Sequence, residues 1–395
     1  MSQERFIKLY SVPGNNICAD CNAEKPDYLV LSYNIIICRK CAGVHRSMEN
    51  VRVRDLNFDK ISDAEINEVL KFGNKKSNDI YLKYLPIFYR LPNSNGPEIL
   101  RRSFIIAKYQ IKQFSVKEID RPYIVNQKLG ILKKRCKDKN IYNSRFFRLS
   151  IPDISFNYFI KETDVISRSL LRFYLRDPKR NLRLDRINAS FIDNPDSRAR
   201  IPDEILMISF FRHEEASWRH IYLKSNTPED LVDWYQTIRF AKFSLRAAYV
   251  VGTGDEANEL ELARDLTLDI TMSGWMYKTG SQLTEQWQKR WCVLLGRRLL
   301  YSSGPLSASG KGEIVIGERS KGYGAVSGAP PNSRSVMSDQ TALTIKTPGR
   351  EYLFAVDSEG DVAERWIKCI NNLADVEMSI REMADYQLHP KAAHK

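Results

Sequence analysis

The chain has 395 residues, with 61 Lys and Arg against 48 Asp and Glu for a formal net charge of +13. That length allows two or three domains, each with its own core, and excludes a small scaffold held by disulfides. The charge favours polyanions (nucleic acid, anionic headgroups or an acidic protein face) without choosing among them.

Cys18, Cys21, Cys38 and Cys41 form C-x2-C-x16-C-x2-C. Two such pairs suit one structural Zn²⁺, because four thiolates complete a tetrahedral shell and leave no open position for metal catalysis. Cys41 runs directly into Ala42-Gly43-Val44-His45-Arg46, so the metal would hold one arginine in place. With the shell already full, His45 reads as an orienting or packing residue. Ser62-Asp63-Ala64-Glu65 is a capping box flanked by Ile61 and Ile66 as a hydrophobic staple, and it opens a helix. A second helical stretch, Ile99 to Phe114, should pack on the knuckles, and Asp120-Arg121-Pro122 ends a first domain over 1–120.

Strands are expected at Gly130–Lys134, Arg145–Leu149, Leu170–Leu175, Ile205–Arg212 and Trp218–Lys224. Thr227-Pro228-Glu229-Asp230 then starts a helix with Leu231, Trp234, Tyr235 and Ile238 on one face, which completes a unit over 126–247. After a linker over 248–268 the same grammar returns at 269–378: Gly274 to Lys278, Lys289 to Leu294, Arg297 to Tyr301, and a helix capped at Ser358–Asp361 that carries Val362, Trp366 and Ile370. The two units read as a duplicated domain, followed by a tail over 379–395. Ser302–Gly312 and Lys321–Ser338 read as long loops, and both Trp234 and Trp366 as core. The apolar stretches, such as Tyr28–Cys38 and Ile205–Phe211, are far shorter than the roughly 20 residues that span a bilayer, so any membrane contact is expected to be peripheral. Met1–Arg5 opens no signal peptide, and Cys136, Cys292 and Cys369 show no pairing pattern, which points to a reducing cytosolic compartment.

With these features together, the chain resembles the GTPase-activating proteins for Arf-family small GTPases, and more closely the ArfGAPs with dual PH domains, the α-centaurins. The resemblance also rests on Gly14-Asn15, Gly73-Asn74, Ala107-Lys108-Tyr109, Phe114, and Gly312 to Gly317 followed by Gly322-Tyr323. It implies an α+β multidomain fold: an α-rich ArfGAP domain built on a four-cysteine zinc finger, then two PH domains. Each PH domain would be a bent antiparallel β-sandwich or barrel of seven strands closed by a C-terminal helix. It further implies that Arg46 is an arginine finger supplied in trans. The chain has no P-loop, so the nucleotide belongs to the partner GTPase and the chain is an activator, not itself an enzyme.

For the PH repeats the resemblance implies phosphoinositide and soluble inositol polyphosphate binding at Lys134 and Arg145 with Lys179 or Arg180, and at Lys278, Arg290, Tyr301 and Lys311. Lys128–Arg148 carries eight basic residues against Asp138 alone, which fits that reading. Asn143 and Gln288 stand where the family's pattern has one more basic residue. The implied location is the cytoplasm with peripheral recruitment to the plasma membrane, and the nucleus by the same resemblance. Tyr28 replaces a tryptophan, Asn34 a glycine and Ile36 an aromatic of the family's finger; Asn is the non-glycine residue that best tolerates a left-handed backbone. Ser47–Val51 is shorter than the family segment and lacks its His-x-Ser, so contacts around Arg46 are expected to differ. An adaptor that binds lipid without activating a GTPase is the competing reading. A zinc-finger DNA reader would leave two β repeats unused, and nucleic acid is not an expected partner.

Overall fold

The computed structural model describes residues 3–137, 139–160, 180–193, 203–253, 258–280, 282–379 and 382–383. Lys179, Asp138 and the strand expected at Leu170–Leu175 lie outside them.

The N-terminal part is helical around a small sheet. Helix α1 (Gln3–Tyr10) precedes strands β1 (Tyr28–Val30) and β2 (Ile35–Ile37), helix α2 (Arg39–Arg46) and strand β3 (Val53–Asp55), paired in the order β2-β1-β3. Helices α3 (Asp63–Lys71), α4 (Gly73–Tyr81) and α5 (Glu98–Ile105) follow, and α5 continues as a π-helical turn over Ile106–Gln110. The capping box at Ser62 and Glu65 forms with both of its bonds, and Ile61 and Ile66 are buried in one cluster with Leu29 and Ile36. Asn34 adopts φ 52°, the left-handed conformation expected of it in the β1–β2 turn. At Gly73, with φ +72°, a Cβ would lie 2.8 Å from Val12 Cγ1, so only glycine fits. Next to it the buried Asn74 accepts from Ile36 N (2.7 Å) and donates to the carbonyls of Ile17 and Ile36 (2.8 Å each), which ties α4 to β2 and the first knuckle.

Two seven-stranded antiparallel sheets follow. The first has the order β7-β6-β5-β4-β10-β9-β8 and the second β14-β13-β12-β11-β17-β16-β15, so the duplication read from sequence is a duplication of topology. In the first, β4 (Gln127–Arg135), β5 (Tyr142–Ser150), β6 (Ser155–Phe159), β7 (Arg180–Arg183), β8 (Asn188–Asp193), β9 (Glu204–Arg212) and β10 (Ser217–Lys224) are closed by α6 (Pro228–Thr253). In the second, β11 (Ile270–Lys278), β12 (Gln288–Leu295), β13 (Arg298–Ser302), β14 (Gly312–Val315), β15 (Gly324–Ser327), β16 (Gln340–Thr347) and β17 (Arg350–Asp357) are closed by α8 (Val362–Ala374). Trp234 and Trp366 are core residues, 1% and 0% exposed. Thr227 Oγ1 accepts from Asp230 N at 3.2 Å and caps α6 as expected. Asp361 occupies the cap position of α8, but its carboxylate is spent on Arg365 at 2.9 Å instead of the helix N–H groups. Part of the expected loop Lys321–Ser338 is strand β15, paired with β16.

The units are joined by buried contacts. Glu204 of β9 accepts from Ile99 N at 2.6 Å and so caps α5, whose own cap position is Pro97. Phe88 packs on Phe240 and Phe243 of α6, and Arg239 Nε donates to Phe88 O at 2.8 Å. The expected linker is ordered where described: α6 runs on to Thr253, α7 (Glu259–Ala263) follows, and Leu266 is fully buried in the core around the four cysteines.

Candidate functional site

The four expected cysteines converge, with all four Sγ atoms within 4.8 Å of one another and Cys21 Sγ 3.5 Å from Cys38 Sγ. A tetrahedral Zn²⁺ with bonds of about 2.3 Å sets neighbouring sulfurs about 3.8 Å apart. The donor set therefore fits one zinc ion: four thiolates this close repel one another unless a cation lies between them. Three of the four are buried, and no described histidine or carboxylate joins the cluster.

Cys38 occupies the N-cap position of α2, Cys41 lies in its first turn, and Arg46 is its last residue. One short helix thus carries both second-knuckle cysteines and the arginine. Its buried face bears His45, whose Nε2 lies 2.9 Å from Asp20 Oδ2, between the first two cysteines. Asp20 Oδ1 accepts from Lys108 Nζ and from Tyr109 Oη, each at 2.9 Å. Lys108 also donates to Ala19 O (2.9 Å) and Asn78 Oδ1 (2.7 Å). Asp20 and Lys108 are completely buried. Burial pushes the Asp20 carboxyl up, but Lys108 and His45 outweigh it and hold Asp20 well below the usual carboxylate range. Lys108 and Tyr109 are adjacent in the π-helical turn and reach the same carboxylate oxygen.

Arg46 itself is exposed. Its guanidinium lies 5.1 Å from the centre of the Tyr28 ring, and Tyr28 pairs with Asp55 across β1 and β3. The neighbouring Asp55 carboxylate, then burial, raises the Tyr28 hydroxyl above its ordinary pKa. The short segment after Arg46 closes tightly: Ser47 N and Met48 N bond the carbonyls of Val44 and His45, and Asn50 takes φ 58°.

At the open end of the second sheet, Lys278 is 8% exposed and gives its Nζ to Thr279 O at 2.7 Å, above the rings of Tyr301 (5.3 Å) and Tyr352 (5.7 Å). Burial, then the charges of Arg350 and Arg290, bring its pKa down to about 8. Arg290 pairs across from Met276, two residues before Lys278, and so shares its face. Lys311 leads into β14, with its N–H on Tyr301 O at 2.7 Å. Arg350, the first residue of β17, donates to Gly280 O at 2.8 Å. In the first sheet the register repeats: Arg145 lies across from Leu132, two residues before Lys134, whose Nζ sits 5.4 Å from the Tyr158 ring.

Residues 3–118 match the family model described as a GTPase activating protein for Arf, and residues 270–375 match the PH domain. A human Arf-GAP with dual PH domain-containing protein 2 is 28% identical, covering 94% of this chain and 93% of that protein. The rat protein of the same name is 26% identical, covering 96% of this chain and 95% of its own length. A probable ADP-ribosylation factor GTPase-activating protein of Arabidopsis thaliana, AGD13, is 34% identical over 28% of this chain and 34% of its own. This chain is similar over nearly its whole length to the Arf-GAP proteins with dual PH domains.

Within this ArfGAP chain, the structure brings Cys18, Cys21, Cys38 and Cys41 together and joins Arg46 to them through α2. It groups Lys278 with Tyr301, and Lys134 with Tyr158. Tyr158 was missed in the sequence although Tyr301 was named; the equivalence lies in the pairings Phe147–Tyr158 and Cys292–Tyr301, each two residues beyond the strand-two arginine. Arg350 and Tyr352 were also missed. They sit in the closing hairpin of the second PH domain, about 60 residues from the motif they join, and only the fold brings them to it.

Proposed function

We propose that this ArfGAP chain stimulates GTP hydrolysis on an Arf-family small GTPase by inserting Arg46, while its two PH domains hold it on a membrane carrying phosphoinositides. The observation that carries the reading is the exposed Arg46 at the end of a helix whose start carries two of the four converging cysteines and whose last turn is held by His45 on the buried Asp20–Lys108 pair. In GTP hydrolysis negative charge grows on the phosphoryl oxygens and the leaving oxygen. A guanidinium fork matches such oxygens, and an arginine finger is worth about 10³ to 10⁵ in rate. A finger acts best when its position is fixed before the partner arrives. Zinc, when bound, supplies that rigidity and no chemistry of its own; Arg46 supplies the charge.

The PH reading rests on two mouths of the same design, each with a lysine over a tyrosine and a strand-two arginine on the same face: Lys134, Tyr158 and Arg145; Lys278, Tyr301 and Arg290. Lys311 would add a donor at the rim of the second mouth. Several fixed donors suit the clustered phosphates of an inositol ring. Two such sites on one chain raise avidity by about 10² to 10⁴ over either alone when both engage one bilayer. Among the described residues no helix is long and apolar enough to cross a membrane. The deciding experiment measures GTP hydrolysis by Arf-family GTPases on liposomes with and without phosphoinositides. Stimulation that needs the lipid supports the reading. Lipid binding with no stimulation transfers it to the adaptor.

A further inference from the structure

The two PH mouths are not equivalent in their surroundings. Strand β10 pairs with β4 only at Leu223 and Lys224, so the edge of Ser217–Ile221 extends past the end of β4. An open strand edge is a row of unpaired N–H and C=O groups that must find partners or water. Here the partner is the β13–β14 loop of the second PH domain. His220 N donates to Ala308 O (3.0 Å), Gly310 N to Trp218 O (2.9 Å), and Arg219 bridges Ser309 in antiparallel register. Leu306 is buried among Ile205, Met207 and Tyr222, Tyr222 Oη donates to Ser307 O (2.9 Å), and Trp218 Nε1 to Glu313 (2.9 Å). The Ser- and Gly-rich segment that reads as a loose loop is an added strand-like edge on its neighbour.

This edge runs into the first mouth. A cavity of about 220 Å³ there is lined by Lys134, Arg135, Lys137 and Tyr158, by His220 of β10, and by Ala308 of the second PH domain. Arg135 itself spans the seam, with Nη1 donating to Leu306 O at 3.1 Å. In the second PH domain the matching edge is met by its own chain, Thr279 N on Leu353 O at 3.3 Å and Arg350 on Gly280 O at 2.8 Å.

We propose that the basic pocket of the first PH domain is a two-domain site, walled on its β10 side by residues 304–310 of the second. An inositol polyphosphate bound there fastens the two PH domains together. The proposal rests on the headgroup reading given above. A polyanion that engages Lys134, Arg135 and Lys137 draws in Arg135, which also holds the neighbouring loop, so ligand binding and docking favour each other.

The test uses the full chain with Lys278→Ala and Arg290→Ala, which leaves the first site to report alone. Inositol tetrakisphosphate is titrated by calorimetry, and vesicles carrying a trisphosphorylated phosphoinositide are pelleted in parallel. Free-ligand binding alone assigns a soluble inositol phosphate, and vesicle binding as well assigns a membrane headgroup. On this background Ala308→Lys should tighten binding and Ala308→Glu weaken it, each by at least roughly tenfold, the effect of one unit charge about 12 Å from another at an effective dielectric of about 20. Opposite signs cannot come from general damage to the fold. If Lys134→Ala abolishes binding while both Ala308 variants stay within about twofold, or both weaken it alike, the two-domain site is wrong and the headgroup reading survives. If Lys134→Ala also changes nothing, the headgroup reading of this domain falls and takes the proposal with it. In hydrogen exchange the His220 and Gly310 amides should slow with ligand, and not in the Lys134→Ala chain; no slowing overturns the coupling.

Discussion

Replacing Lys108 by methionine removes one cation from a buried polar cluster of the ArfGAP domain and keeps nearly the same volume. The ammonium has three bonds, to Asp20 Oδ1, Ala19 O and Asn78 Oδ1, and both it and Asp20 are shut off from solvent. Asp20 would keep His45 and Tyr109 but lose its nearest full charge. Removing one partner of a buried pair costs about 3–5 kcal/mol, mostly because the remaining charge stays buried without compensation. Against a total stability of about 5–15 kcal/mol, that is enough to loosen the domain without abolishing its fold. The consequence reaches function, because Asp20 lies between two cysteines and holds the residue before Arg46. The assay is denaturant unfolding of the full chain, followed by zinc release to a colorimetric chelator. Lys108→Met should release zinc at clearly lower denaturant, and adding Asp20→Asn should cost much less than the sum of the single changes, a coupling of about 2 kcal/mol or more. A Lys108→Met chain within about 1 kcal/mol of the parent, or strict additivity, would refute the idea that this pair anchors the knuckle.

Cys38→Ser should drop zinc content and lose the helical signal of the ArfGAP domain while both β-sheets remain folded, a pattern that circular dichroism with metal analysis would reveal. On phosphoinositide liposomes, Lys134→Ala with Arg145→Ala should lose more binding than Lys60→Ala with Lys71→Ala; equal losses would mean diffuse attraction and no pocket. The second PH domain should bind inositol polyphosphate less tightly as pH rises through about 8, because a lysine whose pKa lies there loses the charge that favours the anion. Lys278→Arg, which stays protonated, should remove that extra fall in calorimetric titrations; an unchanged profile would show that Lys278 does not face the ligand.

The features legible in the sequence were those whose cause is local. The C-x2-C pairs, the Ser62–Glu65 box and Asn34 in its turn each carry their own chemistry within a few residues. Strand β6 escaped notice because all five of its residues are buried, which removes the alternation that marks a half-buried strand. The Asp20–Lys108 pair spans 88 positions and depends on a π-helical turn that no periodicity announces. Lys108 therefore entered as a family feature and not as a partner of Asp20. Residues Ser302–Gly312 misled by composition: Ser and Gly mark flexible chain, yet this segment gains order from an edge it meets only in the folded protein.

The account stands on Arg46, and Arg46→Lys tests it most directly. The substitution keeps the positive charge, the exposed helix end and the zinc shell, and removes the planar fork. Initial rates of GTP hydrolysis by an Arf-family GTPase would be measured on phosphoinositide liposomes, with zinc content, GTPase binding and liposome binding determined on the same preparation. The account predicts loss of most of the stimulation with the other three quantities close to the parent's, the signature of a group that acts in the transition state. Stimulation equal to the parent's would contradict it.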